Sequence, residues 1–448
     1  MPRISAARQA AFRILLAIER GKAHADDLLR RDEVNTLAPA DRNLATALVL
    51  GVLRWQTWLD LKIRPLLKRP NAKLDLEVLI ALRLGAFQLQ FLDRIPAHAA
   101  IDESVELTKQ SGHRFAAGMV NAVLRSATAW SRPLDECVAE VAAHPAWMVA
   151  RWKEFYGEEA MRAICRHGQT QPRLTVRLAD EAAEEELHKA GIALEPGGLL
   201  SAARRVVSGD VTATAAFREG RVRAQDEGSQ LIGELASCAD LAQSQGKILD
   251  ACAAPGGKAL IVAERCPQAR MVACEASPRR LAELRKRLAA YSDRIECRLA
   301  DAAELEEDAA FDLALADVPC SGTGTLGRNP EIRHRLRLED MPRHAGRQGA
   351  ILQAAVRAVR PGGRAIYSTC SLEREENERV IEAVLSENAS VRQISMATGI
   401  EALQRDGILL REGADRLKQC LTPEGALRLL PGALPTDGFF VALVERSA

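Results

Sequence analysis

At 448 residues the chain is longer than one hydrophobic core usually organises, which indicates two to four domains. Hydrophobic residues make up 47% and charged residues 27%, a balance that excludes a disordered chain, and no uncharged run reaches the roughly 18 residues that span a bilayer. The net charge of +1 excludes a uniformly basic nucleic-acid binder.

The amino-terminal part predicts an all-α domain over residues 1–132. Apolar residues recur three and four positions apart in AAFRILLAIERG, ADRNLATALVLGVLRWQTWLD, LDLEVLIALRLGAFQLQFLD and AIDESVELTKQ. The segment holds 20 Lys and Arg against 13 Asp and Glu, a net charge of +7 that fits either an RNA backbone or a set of solvated helix faces. The first residues lack the apolar core and cleavage site of a secretory signal, so we expect a cytoplasmic protein.

The pattern then changes twice along the chain. PLDECVAEVAA and PAWMVARWKEFYGEEAMRAICRH predict a helical connector over residues 133–170, and RLTVRL, EAAEEELHKAG and ARRVV predict a small α+β subdomain over residues 171–222. Over residues 223–448, helical segments separate the strand-length runs KILDAC, RMVACEA, RIECRLA, FDLALADV and RAIYSTC, and GALRLLP and GFFVALVER add closing strands. This alternation predicts a Rossmann-like α/β domain with a mostly parallel sheet and helices on both faces.

The strongest signal of a ligand site follows the first of these strands, in LDACAAPGGKA. There the chain passes through small residues and Gly256-Gly257 into a helix, so backbone can approach a ligand closely at the carboxyl edge of the sheet. Glu275 ends the next strand, about 20 residues further on, where a carboxylate can bind ribose hydroxyls, and Asp301 follows the third strand. The loop lacks P-loop spacing, and a GxGxxG pattern occurs only at residues 322–327, which we interpret as a flexible active-site loop. A plain tight turn is the alternative interpretation of the glycine pair.

Two cysteines stand at the ends of neighbouring strands. The ten cysteines contain no CxxC pair and no metal-ligand spacing to the eight histidines, so neither a disulfide framework nor a metal site is expected. Cys320 in ADVPCSGTG and Cys370 in YSTCSLEREENE should meet beside Asp317, and the helix EENERVIEAVL should favour a thiolate at Cys370. Methyl transfer to carbon 5 of a cytosine is a reaction that would need such a thiolate. Its addition to carbon 6 makes carbon 5 nucleophilic, while Asp317 can help to protonate N3. Two buried core thiols are the alternative.

These motifs resemble a known family, the bacterial ribosomal RNA cytosine-C5 methyltransferases called RsmB, Sun or Fmu, within the NOL1/NOP2/Sun superfamily. DACAAPGGK, DVPCSGTG, RNPEI, YSTCSLEREENE and DGFFVALVER occur in that family's order, and QDEGSQ resembles the motif that opens its catalytic domain. LAPADRNLATALVLGVLRWQTWLD, RIPAHAAIDESVEL and VNAVLR are similar to its NusB-type RNA-binding domain. The resemblance covers nearly the whole chain and implies a NusB-like all-α domain, a small α+β subdomain and an S-adenosylmethionine-dependent methyltransferase domain.

The resemblance also implies a role for each site residue. Glu275, where many relatives have aspartate, would hold the ribose of S-adenosylmethionine, Asp301 would contact its adenine, and Asp317 would lie between cofactor and base. Cys370 would be the nucleophile and Cys320 would assist release of the finished base, a division that the residues alone leave open. The loop expected to surround the cofactor consists of Cys252, Ala253, Ala254, Pro255, Gly256, Gly257 and Lys258.

The substrate implied by the resemblance is one specific cytosine of small-subunit (16S) ribosomal RNA, naked or partly assembled, with neither membrane nor metal as a partner. Arg328 and Arg333 are candidates for backbone contacts, because phosphate binding needs accessible positive charge. One alternative is an RNA-binding assembly or antitermination factor with an idle methyltransferase domain, against which the intact set of Asp317, Cys320 and Cys370 argues. Another is a methyltransferase for transfer RNA or protein, which the helical domain disfavours.

Overall fold

A computed structural model describes residues 4–21, 24–71, 73–130, 136–238 and 246–447. The helices are α1 Ala6–Glu19, α2 Ala25–Leu29, α3 Asp32–Asn35, α4 Pro39–Ile63, α5 Leu76–Phe91, α6 Ala97–Gln110, α7 Ala117–Ala127, α8 Glu136–Ala142, α9 Ala146–Gln169, α10 Glu181–Lys189, α11 Ala215–Arg218, α12 Glu227–Ser237, α13 Gly257–Arg265, α14 Pro278–Arg287, α15 Ile332–Arg335, α16 Met341–Ala358, α17 Glu378–Glu387, α18 Ala397–Arg405 and α19 Arg411–Gln419. The strands are β1 Thr175–Leu178, β2 Ala193–Pro196, β3 Ala203–Ser208, β4 Val222–Ala224, β5 Lys247–Asp250, β6 Arg270–Glu275, β7 Ile295–Leu299, β8 Phe311–Asp317, β9 Val359–Thr369, β10 Val391–Ile394, β11 Leu427–Leu429 and β12 Phe439–Arg446.

The described residues form two compact units. The helical unit comprises those within Met1–Gln171 together with Leu326–Arg335, and the α/β unit comprises those within Pro172–Thr325 and Leu336–Ala448. The segment Leu326–Arg335 therefore folds with the amino-terminal helices, although it follows the fourth strand of the large sheet in sequence. Among the described residues, no helix combines the length and the apolarity that a membrane crossing requires.

The helical unit is built from α1–α9 and α15 around an apolar core. α4 and α5 supply much of this core because their apolar residues recur at helical spacing, and Trp55 stacks on Phe91 with ring centroids 4.6 Å apart. α9 is interrupted at Gly157, whose φ of +82° a residue with a side chain rarely adopts. The helices predicted for residues 1–132 are found, and the connector contains α8 and α9, while residues 131–135 lie outside the described residues.

The α/β unit begins with a small four-stranded sheet in the order β2-β3-β1-β4, antiparallel throughout. α10 covers it through Ala183 and Leu187, as the pattern of EAAEEELHKAG predicts. β2 was not predicted, because ALEP has no alternating pattern and its residues are exposed or half-buried. The α+β character expected for this region is confirmed.

The large sheet has the order β10-β12-β9-β8-β5-β6-β7, with β11 paired to β12. The five predicted strands β5 to β9 run parallel, and β12 joins β9 antiparallel. Residues of β5 alternate between two cores: Ile248 packs in the core that contains α12, α13 and α14, and Leu249 in the core that contains α16 and α17. Helices therefore cover both faces, and the carboxyl ends of β5, β6, β8 and β9 share one edge, as predicted.

Candidate active site

Backbone hydrogen bonds and a glycine turn determine the course of the loop between β5 and α13. Ala251 and Ala253 donate through their amides to Leu315 and Cys274, so the chain leaves the sheet between β6 and β8. Gly256 has a φ of +99° and precedes the first residue of α13, and a Cβ there would lie 2.9 Å from Leu284 Cδ1. The expectation that small residues are needed in this turn is met for a steric reason.

Two arginines of α14 hold this loop from the side. Arg280 Nη2 donates to Ala254 O at 2.7 Å, and Arg287 Nη1 donates to Pro255 O at 3.0 Å. Arg280 Nη1 also lies 3.4 Å from Glu275 Oε2, so one guanidinium contacts both the loop and the carboxylate at the end of β6. These arginines were not among the predicted site residues, because SPRRLAELRKRLAAY gives no indication of which arginines face the sheet.

An ion pair and a buried acid lie where α13 begins and β8 ends. Lys258 Nζ donates to Asp317 Oδ2 at 2.6 Å, and Ser368 Oγ donates to Asp317 Oδ1 at 2.7 Å. Burial lowers the pKa of Lys258, but the Asp317 carboxylate and its hydrogen bond outweigh burial, so the net pKa is raised. Asp250 at the end of β5 is 2% exposed, and its Oδ1 has no hydrogen-bond partner. Burial, followed by the charge of Asp317, raises the pKa of Asp250 to about 7.

The two cysteines at the ends of β8 and β9 are in contact. Asp317 pairs in register with Ser368, and beyond this pair Cys320 Sγ lies 3.3 Å from Cys370 Sγ. The hydrogen bond to Cys370, then burial, then the charges of Cys370 and Glu376 raise the pKa of Cys320. Lys258 lies close enough to Cys370 for their charges to interact. The arrangement can therefore hold the Cys320 thiol neutral.

The remaining predicted cofactor residues lie at the same edge. Glu275 is 6% exposed, and its Oε1 accepts from Ser277 N at 2.8 Å. Asp301, which follows β7, caps Ala303 N at 3.1 Å and pairs with Arg347 Nη2 at 2.9 Å. The edge thus brings together both carboxylates, the loop, Asp317 and the two cysteines.

Two expectations about the loops require correction. Gly324 is buried, and a Cβ there would lie 2.4 Å from Gly438 O, so this glycine permits close backbone packing and not the approach of a substrate along a flexible loop. The helix predicted as EENERVIEAVL begins at Glu378 and not at Glu375, because Asn377 has non-helical angles of φ −116° and ψ −102°. Asn377, which precedes the first residue of α17, nevertheless binds both neighbours of Cys370: its Oδ1 accepts from Thr369 Oγ1 at 2.6 Å, and its Nδ2 donates to Ser371 O at 2.9 Å.

The predicted RNA contacts also separate. Arg333 is 1% exposed, and within the helical unit its guanidinium donates to Gly168 O at 2.8 Å and Arg54 O at 3.3 Å. Burial, followed by the charge of Arg54, lowers the pKa of Arg333 to about 9. A buried guanidinium offers no accessible charge to a phosphate, so the expectation for Arg333 was wrong. Arg328 is half-buried and stays a candidate.

Three family models match the chain. They are described as NusB family, over residues 5–129, as a Methyltr_RsmF/B-like ferredoxin-like domain, over residues 144–209, and as 16S rRNA methyltransferase RsmB/F, over residues 240–445. The probable ribosomal RNA small subunit methyltransferase B of Bacillus subtilis is 31% identical over 98% of this chain and 98% of its own length. The ribosomal RNA small subunit methyltransferase B of Pseudomonas putida is 35% identical over 91% of this chain and 95% of its own.

Solved structures share the fold. The crystal structure of PH0851 has a TM-score of 0.78 at 22% identity, covering 99% of this chain and 100% of its own. NSun6 from Pyrococcus horikoshii, solved with SFG, has a TM-score of 0.56 at 17% identity, covering 68% of this chain and 98% of its own. At these identities the likeness concerns the fold alone.

Proposed function

The chain belongs to the RsmB/RsmF family of 16S ribosomal RNA methyltransferases, and from this membership we propose that it methylates carbon 5 of one cytosine in small-subunit ribosomal RNA through a covalent cysteine adduct. The observation that carries the proposal is the 3.3 Å contact between Cys320 and Cys370 beside the Lys258–Asp317 pair. Carbon 5 of cytosine is a poor nucleophile, and a thiol at carbon 6 removes this obstacle.

S-adenosylmethionine is the methyl donor that this family uses, and the loop residues fit it. The buried Oδ1 of Asp250 lacks a partner, which a positively charged ligand group would satisfy. The loop from Cys252 to Lys258 would enclose the donor, Glu275 would bind its ribose, and Asp301 its adenine. When bound, the donor supplies an electrophilic methyl group.

The residues of this chain would carry the remaining chemistry. The Cys370 thiolate adds to carbon 6, the ring electrons move toward carbon 5, and N3 takes up a proton through Asp317, which Lys258 holds in place. After carbon 5 gains the methyl group, water takes the carbon 5 proton, the electrons of the sulfur–carbon bond return to Cys370 as a thiolate, and the double bond between carbons 5 and 6 forms again while N3 releases the proton that it took up. Cys320, whose pKa is raised, stays a neutral thiol that assists this release.

Labelled methyl transfer to unmodified small-subunit ribosomal RNA, followed by digestion to nucleosides, tests the proposal. Label in 5-methylcytidine that disappears in Cys370→Ala is expected, and Cys320→Ala should accumulate a protein–RNA adduct visible on a denaturing gel. The reverse behaviour of the two variants would contradict the assignment of the nucleophile. Label on transfer RNA alone would contradict the substrate, and label on neither RNA would favour an RNA-binding assembly factor.

A further inference from the structure

A buried carboxylate joins the two turns that carry the cysteines. We propose that Glu376 is a positioning residue that holds these turns together, so that Cys320 and Cys370 stay in contact. The proposal rests on the proposed function for its catalytic meaning, but its geometry is independent of that function. Glu376 lies six residues beyond Cys370 in sequence and is 0% exposed.

The hydrogen bonds of Glu376 reach the residue that follows each cysteine. Ser321, next to Cys320, donates through its amide to Glu376 Oε1 at 2.9 Å and through its hydroxyl to Oε2. Ser371, next to Cys370, donates its hydroxyl to the same Oε2, and the two serine hydroxyls lie 3.0 Å apart. One carboxylate oxygen therefore binds both turns directly, 50 residues apart in sequence.

A second set of contacts fixes the carboxylate itself. Gln348 Nε2, from α16, donates to Glu376 Oε1 at 2.9 Å and to Pro319 O at 3.0 Å. The Tyr367 hydroxyl donates to the backbone carbonyl of Glu376. An ionised carboxylate without partners is costly in a protein interior, whereas one that accepts several hydrogen bonds is tolerated and geometrically specific. The carboxylate is thus satisfied by donors whose positions define the two turns.

The same carboxylate places negative charge beside Cys320. The charge of Glu376 is among the causes that raise the pKa of Cys320, after the hydrogen bond to Cys370 and burial. Lys258 lies close enough to Cys370 for their charges to interact. His344 Nδ1 lies 4.0 Å from Glu376 Oε1. Negative charge beside Cys320 favours its neutral thiol.

Thiol oxidation in the full-length protein tests the positioning without any RNA. Diamide takes up the two protons and two electrons that a pair of touching thiols releases, and peptide mass spectrometry measures the rate of Cys320–Cys370 disulfide formation. In Glu376→Gln, the amide offers one acceptor where the carboxylate offers two, so we expect disulfide formation and kcat each to fall by about 10- to 100-fold. The dissociation constants for S-adenosylmethionine and RNA should stay within about twofold.

Glu382→Gln, an exposed change on α17, is the matched control and should behave as wild type. If Glu376→Gln does not fold by circular dichroism, the double variant Ser321→Ala with Ser371→Ala removes the hydroxyl donors and should show the same two losses. Disulfide formation at the wild-type rate in the folded variants, or wild-type thiols that resist oxidation, would overturn the proposal. A disulfide rate that depends on Glu376 in a protein that methylates no RNA would instead overturn the proposed function alone.

Discussion

At the scale of single residues, the site depends on charges that only pairing makes tolerable. Lys258 has 13% of its side chain exposed and Asp317 29%, and their atoms lie 2.6 Å apart. A mostly buried ammonium is stable there because the carboxylate is close, and the carboxylate keeps its orientation because the ammonium is fixed on α13. Each member therefore positions the other beside Cys370.

Replacing Lys258 should expose this dependence. Lys258→Met keeps the length of the chain and removes the charge, so Asp317 loses its donor, and we expect kcat to fall by about 100-fold or more. Single-turnover methyl transfer with saturating RNA measures the effect. Lys286→Met, an exposed change on α14, is the control. Unchanged turnover in Lys258→Met would show that the ion pair has no part in the reaction.

Asp250 makes the stability of the folded chain depend on pH. Its pKa is raised from 3.8 to about 7, so within this window the native state binds a proton that the unfolded chain releases. The free energy of unfolding therefore falls as the pH rises from 3.8 to about 7. Asp250→Asn should reduce the difference between urea-unfolding free energies at about pH 5 and about pH 7.5 by ~1 kcal/mol or more. The exposed control Asp293→Asn should retain the wild-type difference. An Asp250→Asn variant that also retained it would contradict the raised pKa of Asp250.

At the scale of elements, the motif QDEGSQ is explained by the start of α12. Glu227 is 1% exposed and accepts from three successive amides, Gly198 N at 2.9 Å, Leu199 N at 2.7 Å and Leu200 N at 2.7 Å. These amides belong to the turn between β2 and β3. One side chain thus attaches the small sheet to the first helix of the large α/β fold.

Removing this attachment should destabilise the α/β unit. Glu227→Ala leaves three amides without their acceptor in a buried turn, and we expect a loss of ~2 to 4 kcal/mol in the free energy of unfolding. Chemical denaturation, monitored by far-ultraviolet circular dichroism, measures this loss. Glu401→Ala, exposed on α18, should change stability by less than about 0.5 kcal/mol. Equal stability of the two variants would mean that water replaces the carboxylate.

At the scale of the whole molecule, positive charge is concentrated in the amino-terminal helical part of the chain. Residues 1–132 carry a net charge of +7 in a chain whose total is +1. Within the helical unit, Leu326–Arg335 brings further arginines, of which Arg333 is buried and Arg328 half-buried. The proposal of an RNA contact therefore stays with Arg328 and with the helical domain.

The salt dependence of RNA binding separates the two arginines. Arg328→Ala should reduce the slope of the logarithm of the binding constant against the logarithm of salt concentration by about one phosphate contact. Arg333→Ala should leave that slope unchanged and instead lower the free energy of unfolding by ~2 to 4 kcal/mol, because a buried side chain is removed and the Gly168 carbonyl loses the guanidinium donor. A slope that responds to Arg333 would restore it as an RNA contact.

The sequence alone determined the order of the elements and the edge at which the chemistry gathers. Apolar periodicity encodes which face of a helix or strand is buried, and parallel strands must end at one edge, so the positions of Gly256, Asp317, Cys320 and Cys370 followed from local pattern. The short strands β2, β4 and β10 were not predicted, because runs of three or four residues give no clear alternation. The roles of the two cysteines came from the resemblance and remain proposals.

Only the tertiary structure decided which polar groups are buried together. The ion pair of Lys258 and the hydrogen bonds of Glu376 with its four donors join segments far apart in sequence. Packing between distant segments likewise leaves Asp250 Oδ1 buried without a partner and buries Arg333. Charge and pKa depend on distance and solvent access, and neither quantity is a property of a residue's neighbours along the chain. A sequence pattern therefore locates the edge of the sheet, while packing determines which side chains there can carry charge.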